Sequence, residues 1–125
     1  MSVWTADELR RVGNATELHV SSRRPNGSLR PYVTIWTVRS GDDIYVRSAY
    51  GADNPWFRRA TASGAGRIRA GGVEHDVTFE PADENANPQI DAAYHAKYDR
   101  YGTDIVGTVV GPKAAPVTLR LLPQP

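Results

Sequence analysis

The spacing of apolar positions changes period several times along the chain, and each change marks an element. Thr5 and Glu8 form a Thr-x-x-Glu capping box, with Trp4 before the cap and Leu9 at the fourth helical position as a hydrophobic staple. Leu9 and Val12 share one face of this helix and Gly13 is its expected stop, so Trp4 reads as a structural clamp. From Glu17 the period becomes two: Leu18 and Val20 alternate with His19 and Ser21, up to a turn at Asn26-Gly27. Tyr32 to Val38 is β-branched and aromatic with apolar residues on both faces, which predicts a central strand covered on each side. Ser40-Gly41-Asp42-Asp43 turns it into an antiparallel neighbour, Ile44 to Arg47.

Asn54-Pro55 is a cap followed by proline at the first helical position, and it predicts a short helix through Trp56, Phe57 and Ala60, ended by Gly64 and Gly66. Arg67 to Ala70 and Val73 to Glu80 form a hairpin about Gly71-Gly72, with Val73, His75, Val77 and Phe79 on one face. Asn87-Pro88 repeats the cap signature and opens a longer helix carrying Ile90, Tyr94, Lys97, Tyr98 and Tyr101 on one side, up to Gly102. Val117 to Leu122 is the last strand. Six strands joined mainly by hairpins, one helix inserted between the third and fourth, and no βαβ repeat predict a mainly β fold with flanking helices (α+β), a small antiparallel barrel. Without an internal repeat or linker, residues 1–125 are expected to be one domain.

Composition narrows the chemistry. The 125 residues contain no cysteine, which excludes disulfides, thiolate zinc sites and cysteine nucleophiles. A net charge of +1 is too balanced for a strongly basic nucleic-acid binder, so no nucleic-acid partner is expected. Yet 13 of the 15 basic residues are arginine, a skew that fits bidentate anion contacts and equally the codon usage of a GC-rich genome. No apolar stretch reaches 18 residues, and the start of the chain lacks the basic-then-apolar order of a signal peptide; a soluble cytoplasmic protein without a membrane partner is expected.

Phosphate-loop and dinucleotide fingerprints are missing, as is a Gly-x-Ser-x-Gly elbow, and His19, His75 and His95 are too scattered for a metal motif. His75 reads as a core histidine and His95 as a surface or interface residue. Three features remain. Arg23-Arg24-Pro25-Asn26-Gly27-Ser28-Leu29-Arg30 brings guanidinium groups, a hydroxyl and turn N–H donors together, as a phosphate cradle does and as a solvated hairpin loop also does. Tyr45 to Gly51 carries Arg47 on a strand, where it must face solvent or hold an anion. Trp36, Trp56, Phe57, Tyr94, Tyr98 and Tyr101 can wall a planar ligand, although core and dimer packing explain such spacings too.

The order of these features resembles the FMN- and deazaflavin-binding split β-barrel superfamily, which holds pyridoxamine-phosphate oxidases and deazaflavin-dependent nitroreductases. The likeness to the nitroreductases lies in Asn26-Gly27-Ser28-Leu29-Arg30, the strand Tyr32 to Val38, Gly41-Asp42-Asp43-Ile44-Tyr45-Val46, Ser48 to Gly51 and Asn54-Pro55-Trp56-Phe57. Across nearly the whole chain, Trp36, Tyr45-Val46-Arg47, Trp56, Gly66-Arg67-Ile68 and Ala93-Tyr94-x-x-Lys97-Tyr98 resemble a family of small bacterial proteins of unknown function assigned to the same barrel. The resemblance implies a six-stranded antiparallel split β-barrel that forms a homodimer and binds coenzyme F-420 or FMN. It would pass a hydride to a small-molecule acceptor. Arg30 would contact the phosphate; Arg47, Ser48, Ala49 and Tyr50 would follow the phosphate and ribityl path; Trp36, Tyr50 and Trp56 would shape the ring pocket, with Ser28 and Gly51 also at the cofactor. Where the nitroreductases carry a serine-lysine pair before the glycine, this chain has Ala49-Tyr50, leaving Arg47 to supply the charge. The alternative is a non-catalytic barrel that binds a flavin, haem or small anion.

Overall fold

The structure, a computed structural model, describes residues 3–125; Met1 and Ser2, where the segment read for a leader begins, lie outside them. The chain first forms helix α1 (Ala6–Asn14), one residue past the expected stop at Gly13. Both capping-box bonds are present: the Glu8 N–H donates to Thr5 Oγ1 at 3.1 Å, and the Thr5 N–H donates to Glu8 Oε1 at 2.9 Å. Trp4 is the expected clamp. It is buried with Leu9 and Val12, and its indole N–H donates to the Leu121 carbonyl at 2.9 Å, joining the two ends of the fold.

Seven strands follow rather than six: β1 (Leu18–Ser22), β2 (Val33–Ile35), β3 (Thr37–Ser40), β4 (Asp43–Arg47), β5 (Ala65–Ala70), β6 (Val73–Pro81) and β7 (Thr118–Pro123). The additional strand arises because the stretch expected to run unbroken from Tyr32 to Val38 divides at Trp36. Its first part pairs with β1 and its second with β4. The sheet order is β2-β1-β5-β6-β7-β4-β3, every pairing antiparallel, so its two edge strands are neighbours in the chain with only Trp36 between them. The sheet therefore curls until its edges nearly meet, the condition for a barrel. The strand covered on both faces is β4, not the Tyr32 stretch: Ile44 and Val46 face the barrel interior, while Tyr45 faces a second core outside. Val33 and Thr34 are exposed. Apolar composition alone cannot separate a doubly covered strand from two edge strands meeting at a corner.

Inside the barrel, Leu18, Val20, Ile68, Val77, Leu119 and Leu121 meet α1 and α2 (Pro55–Ser63), which contributes Trp56, Phe57 and Ala60. Packing is closest at Gly66 on β5, where an added Cβ would lie 2.1 Å from the Ser21 carbonyl oxygen and 2.9 Å from the Phe79 ring. Gly66→Ala is therefore expected to cost at least about 1–3 kcal/mol, the range for overpacking a tight core; a shift in denaturant midpoint measures it.

The outer core is built by α3 (Asn87–Tyr98) lying over β3, with Ile90, Tyr94 and Tyr98 fully buried against Val38 and Tyr45. The true cap of α3 is Ala86; Asn87, read as the cap, is already helical. A short helix α4 (Thr103–Val106) and a 3-10 segment, Pro112–Val117, complete this side, and neither has a periodic signal in the sequence. The Tyr98 hydroxyl sits 2.7 Å and 3.0 Å from the Thr16 and Thr37 carbonyl oxygens, and Lys97 Nζ donates to the Thr37 carbonyl at 2.6 Å. Burial holds the Lys97 amine down at about 8 and pushes the Tyr98 phenol up to about 12. Between pH 8 and the ordinary lysine value the unfolded chain binds more protons at Lys97, so stability climbs with pH. Above the ordinary tyrosine value the unfolded chain releases the Tyr98 proton first, so stability falls. Urea midpoints should therefore rise from pH 8 to a maximum near pH 10, and Lys97→Met should remove the rise while leaving the fall.

Candidate functional site

An open groove of about 920 Å³ lies between the β1–β2 connection and helix α2. Its walls carry five arginines, Arg23, Arg24, Arg30, Arg58 and Arg59, with Pro25, Pro55, Ala62 and Ala65 supplying apolar surface; no carboxylate lines it. Local chemistry shapes the loop side. Gly27 adopts φ +86°, the left-handed turn that the Asn-Gly pair favours. Its N–H donates to the Arg24 carbonyl at 2.8 Å, and a bridge between Arg23 and Leu29 closes the hairpin. Asn26 Oδ1 then accepts from the Ser28 N–H at 3.0 Å and from the Ser28 hydroxyl at 2.7 Å.

The five guanidinium groups differ in their occupation. Arg23 donates to the Gly27 carbonyl at 2.8 Å and to Asp76 at 3.2 Å, and Arg24 donates to the Leu29 carbonyl at 2.8 Å. Asp76 is shared with Arg67, whose hydrogen bond, followed by the charges of Arg67 and Arg23, holds its carboxyl below the usual carboxylate range. Arg30 is tethered through its backbone, donating to the Ser22 carbonyl at 3.0 Å, while its Nε is buried without a hydrogen-bond partner. Arg58 and Arg59 project from the exposed side of α2 and have no ion-pair partner among the described residues. A buried N–H without an acceptor is costly, and clustered like charges repel, so an anion would relieve both at once.

The structure does not gather the nine expected site residues in one place. Arg30 lines the groove and Ser28 lies on its loop beside Arg24 Nη1, 3.4 Å away. Trp56 is in the barrel core directly behind, bordering a small recess with Arg30 and Arg59. Arg47 is sealed within the fold: its side chain is 0% exposed and forms an ion pair with Asp91. Its other donors reach Thr118 Oγ1 at 2.8 Å, the Val109 carbonyl at 2.9 Å and Asn87 Oδ1 at 3.2 Å. Ser48, Tyr50 and Gly51 line a separate cavity of about 270 Å³ with Thr108 and Lys113. Tyr50 is 83% exposed there and holds φ +65°, a strained value for a side-chain-bearing residue. The Ala49 carbonyl accepts from Asn54 Nδ2 at 3.3 Å, which ties this loop to the start of α2. Trp36 stacks on Tyr98, ring centroids 3.9 Å apart, at the corner where the sheet edges meet.

Arg58 and Arg59 escaped the sequence reading, although the helix that presents them was legible from Asn54-Pro55. Trp56, Phe57 and Ala60 take its buried side, so residues 58 and 59 fall outward by helical spacing. Asp91, the partner of Arg47, carries no such signal because it is 44 residues distant in sequence. His75 is half-buried, with Trp4 edge-on at 5.4 Å, and His95 is exposed beside Asp99. Among the described residues no three His, Cys, Asp or Glu side chains come together to hold a metal ion. No helix among them is long and apolar enough to cross a membrane.

Comparison with solved structures shows the same fold at low identity. The conserved hypothetical protein Rv2991 from Mycobacterium tuberculosis superposes with a TM-score of 0.69 at 13% identity, over 99% of this chain and 83% of that one. A FAD-binding protein from Mesorhizobium loti gives 0.59 at 18% identity, over 98% and 92%. An F420 reductase gives 0.54 at 14% identity, over 91% and 90%. No curated protein matches the sequence. A family profile described as an uncharacterized protein conserved in bacteria matches residues 8–121. The split-barrel fold expected from the sequence and this match, which spans almost every element of the barrel, place the chain in one family: it belongs to DUF2255.

Proposed function

We propose that the arginine groove holds the phosphate-bearing tail of a flavin-type cofactor, F-420 or FMN, and that the protein is a reductase for a small organic acceptor. The observation that carries this reading is the groove itself: five arginines without a lining carboxylate, one of them with a buried N–H that has no partner. Its chemistry fits a phosphate tail. Likeness in fold to an F420 reductase and a FAD-binding protein supports the class of cofactor. The cofactor supplies the hydride; the chain supplies binding and orientation. Arg30 would meet the phosphate from the loop with Ser28 beside it, and Arg58 and Arg59 would meet it from α2. Ala49 then acts from behind, through the Asn54 tie to the start of α2, and Arg47 through the Asp91 anchor that joins β4 to α3.

No aromatic side chain lines the groove, so one copy of the chain gives a tricyclic ring no stacking wall there. In the proposed homodimer the second copy would complete that wall. The same observation favours a second reading, a non-catalytic protein that takes only the anionic part of a small ligand. An absorbance scan of freshly purified protein, followed by reduction with a donor and reoxidation by a quinone or nitroaromatic acceptor, separates the two. A band at about 420 nm, or a pair at about 370 and 450 nm, that is bleached and restored supports the reductase. A chromophore that no acceptor reoxidises supports the binder.

A further inference from the structure

On the side of the molecule built by α3, Lys97 faces a groove of about 460 Å³ between α1, β3 and α3. The groove is lined by Arg10 from α1, Arg39 from β3 and Lys97 from α3, with Leu9, Val38 and Ala93 among its apolar residues, and no carboxylate lines it. Arg10 shares Asp7 at its outer end, and Arg39 donates to the Gly41 carbonyl at 2.8 Å, with Asp42 at 4.0 Å. Lys97 has no carboxylate partner among the described residues. Its Nζ donates to the Thr37 carbonyl and lies 5.1 Å from the centre of the Tyr98 ring. The charged side chains that share its groove are two guanidinium groups, and the Tyr98 phenol on the same Thr37 carbonyl is reached by the charges of Tyr101, Glu17 and Arg100. A lysine required only as a surface charge would extend to solvent or to an acid; this one is folded back under its helix.

We propose that Lys97 is a reactive amine that captures small anionic carbonyl compounds, aldehydes or 2-oxo acids, as imines, with Arg39 and Arg10 attracting the anionic group. In the step, the lone pair of neutral Nζ forms a C–N bond to the carbonyl carbon. The amine loses two protons, the carbonyl oxygen leaves as water, and no oxidant or reductant takes part. The Thr37 carbonyl accepts one N–H and orients the amine without occupying its lone pair. Burial supplies the neutral amine: with its value held at about 8, Lys97 is roughly half neutral at pH 8, whereas an ordinary lysine is under about 1% neutral there. This site is distinct from the arginine groove and does not depend on a cofactor there.

The chain has only two lysines, and exposed Lys113 serves as the internal reference. Treating the whole protein with pyridoxal 5′-phosphate or with unphosphorylated pyridoxal at pH 7 to 9, trapping with borohydride and mapping by peptide mass spectrometry tests the proposal. Lys97 should be labelled at least tenfold faster than Lys113 at pH 8, with a rate that levels off above pH 8. The phosphorylated aldehyde should react faster than pyridoxal, and Arg39→Gln should remove that advantage. Equal labelling of the two lysines, or labelling of Lys113 first, would overturn the proposal. Preference for Lys97 without an effect of phosphate or of Arg39 would overturn its anion-binding half.

Discussion

Arg47→Ala should destabilise the protein by about 3 kcal/mol, the lower part of the range for breaking a buried ion pair. The guanidinium has no exposed surface, and its removal takes donors from Asp91, Val109, Asn87 and Thr118 together. Asp91 keeps some solvent contact, with 31% of its side chain exposed, and also accepts from the Gly111 N–H at 3.3 Å; both soften the loss. What cannot be softened is the connection. Arg47 ties β4 and β7 to α3 and to the segment around Val109, four stretches joined through one side chain. Arg47→Lys should recover little, because one ammonium cannot reproduce a planar fork reaching four acceptors. Urea titration of both variants measures the effect, and a midpoint shift below the equivalent of about 1 kcal/mol would show that the cluster contributes little to stability.

Arg30→Met is expected to have the opposite profile. Its Nε makes no hydrogen bond within the chain, so folding stability should stay within about 0.5 kcal/mol. Cofactor affinity should fall by about 1.5–3 kcal/mol, roughly ten- to a hundredfold, which is the worth of a hydrogen bond to a charged group. Arg58→Ser and Arg59→Ser should each cost less, about threefold, because exposed charges act through screened attraction. Their contribution should vanish at high salt while that of Arg30 persists. Titrations monitored by flavin fluorescence at low and high salt read both effects. Equal losses for all three variants would contradict the distinction between a buried contact and a screened one.

These two arginines also show what was legible in the sequence. Both stood out as arginines in or beside strands, and local pattern could not tell an anchor of the fold from a candidate anchor of a ligand. That difference is decided by Asp91 and Asn87 on α3, whose distance in sequence from Arg47 hides the pairing. Features made by neighbours in the chain were readable: the capping box at Thr5 and Glu8, the Asn26-Gly27 turn, the Pro55 start of α2 and the Gly71-Gly72 hairpin. The break at Trp36 was not, since β2 and β3 pair with different strands, and partner choice is a property of the closed sheet. For the candidate site, the loop half was visible as a run of arginines around a turn. The α2 half needed the barrel to bring residues 58 and 59 against residues 23 to 30.

The most direct test of the account compares FMN with riboflavin, which has the same ring and ribityl chain and lacks only the phosphate. If the arginine groove grips that group, FMN should bind at least tenfold more tightly, with an advantage that shrinks as salt is raised and is largely lost in Arg30→Met. Equal affinities for the two would mean that the groove does not hold a phosphate.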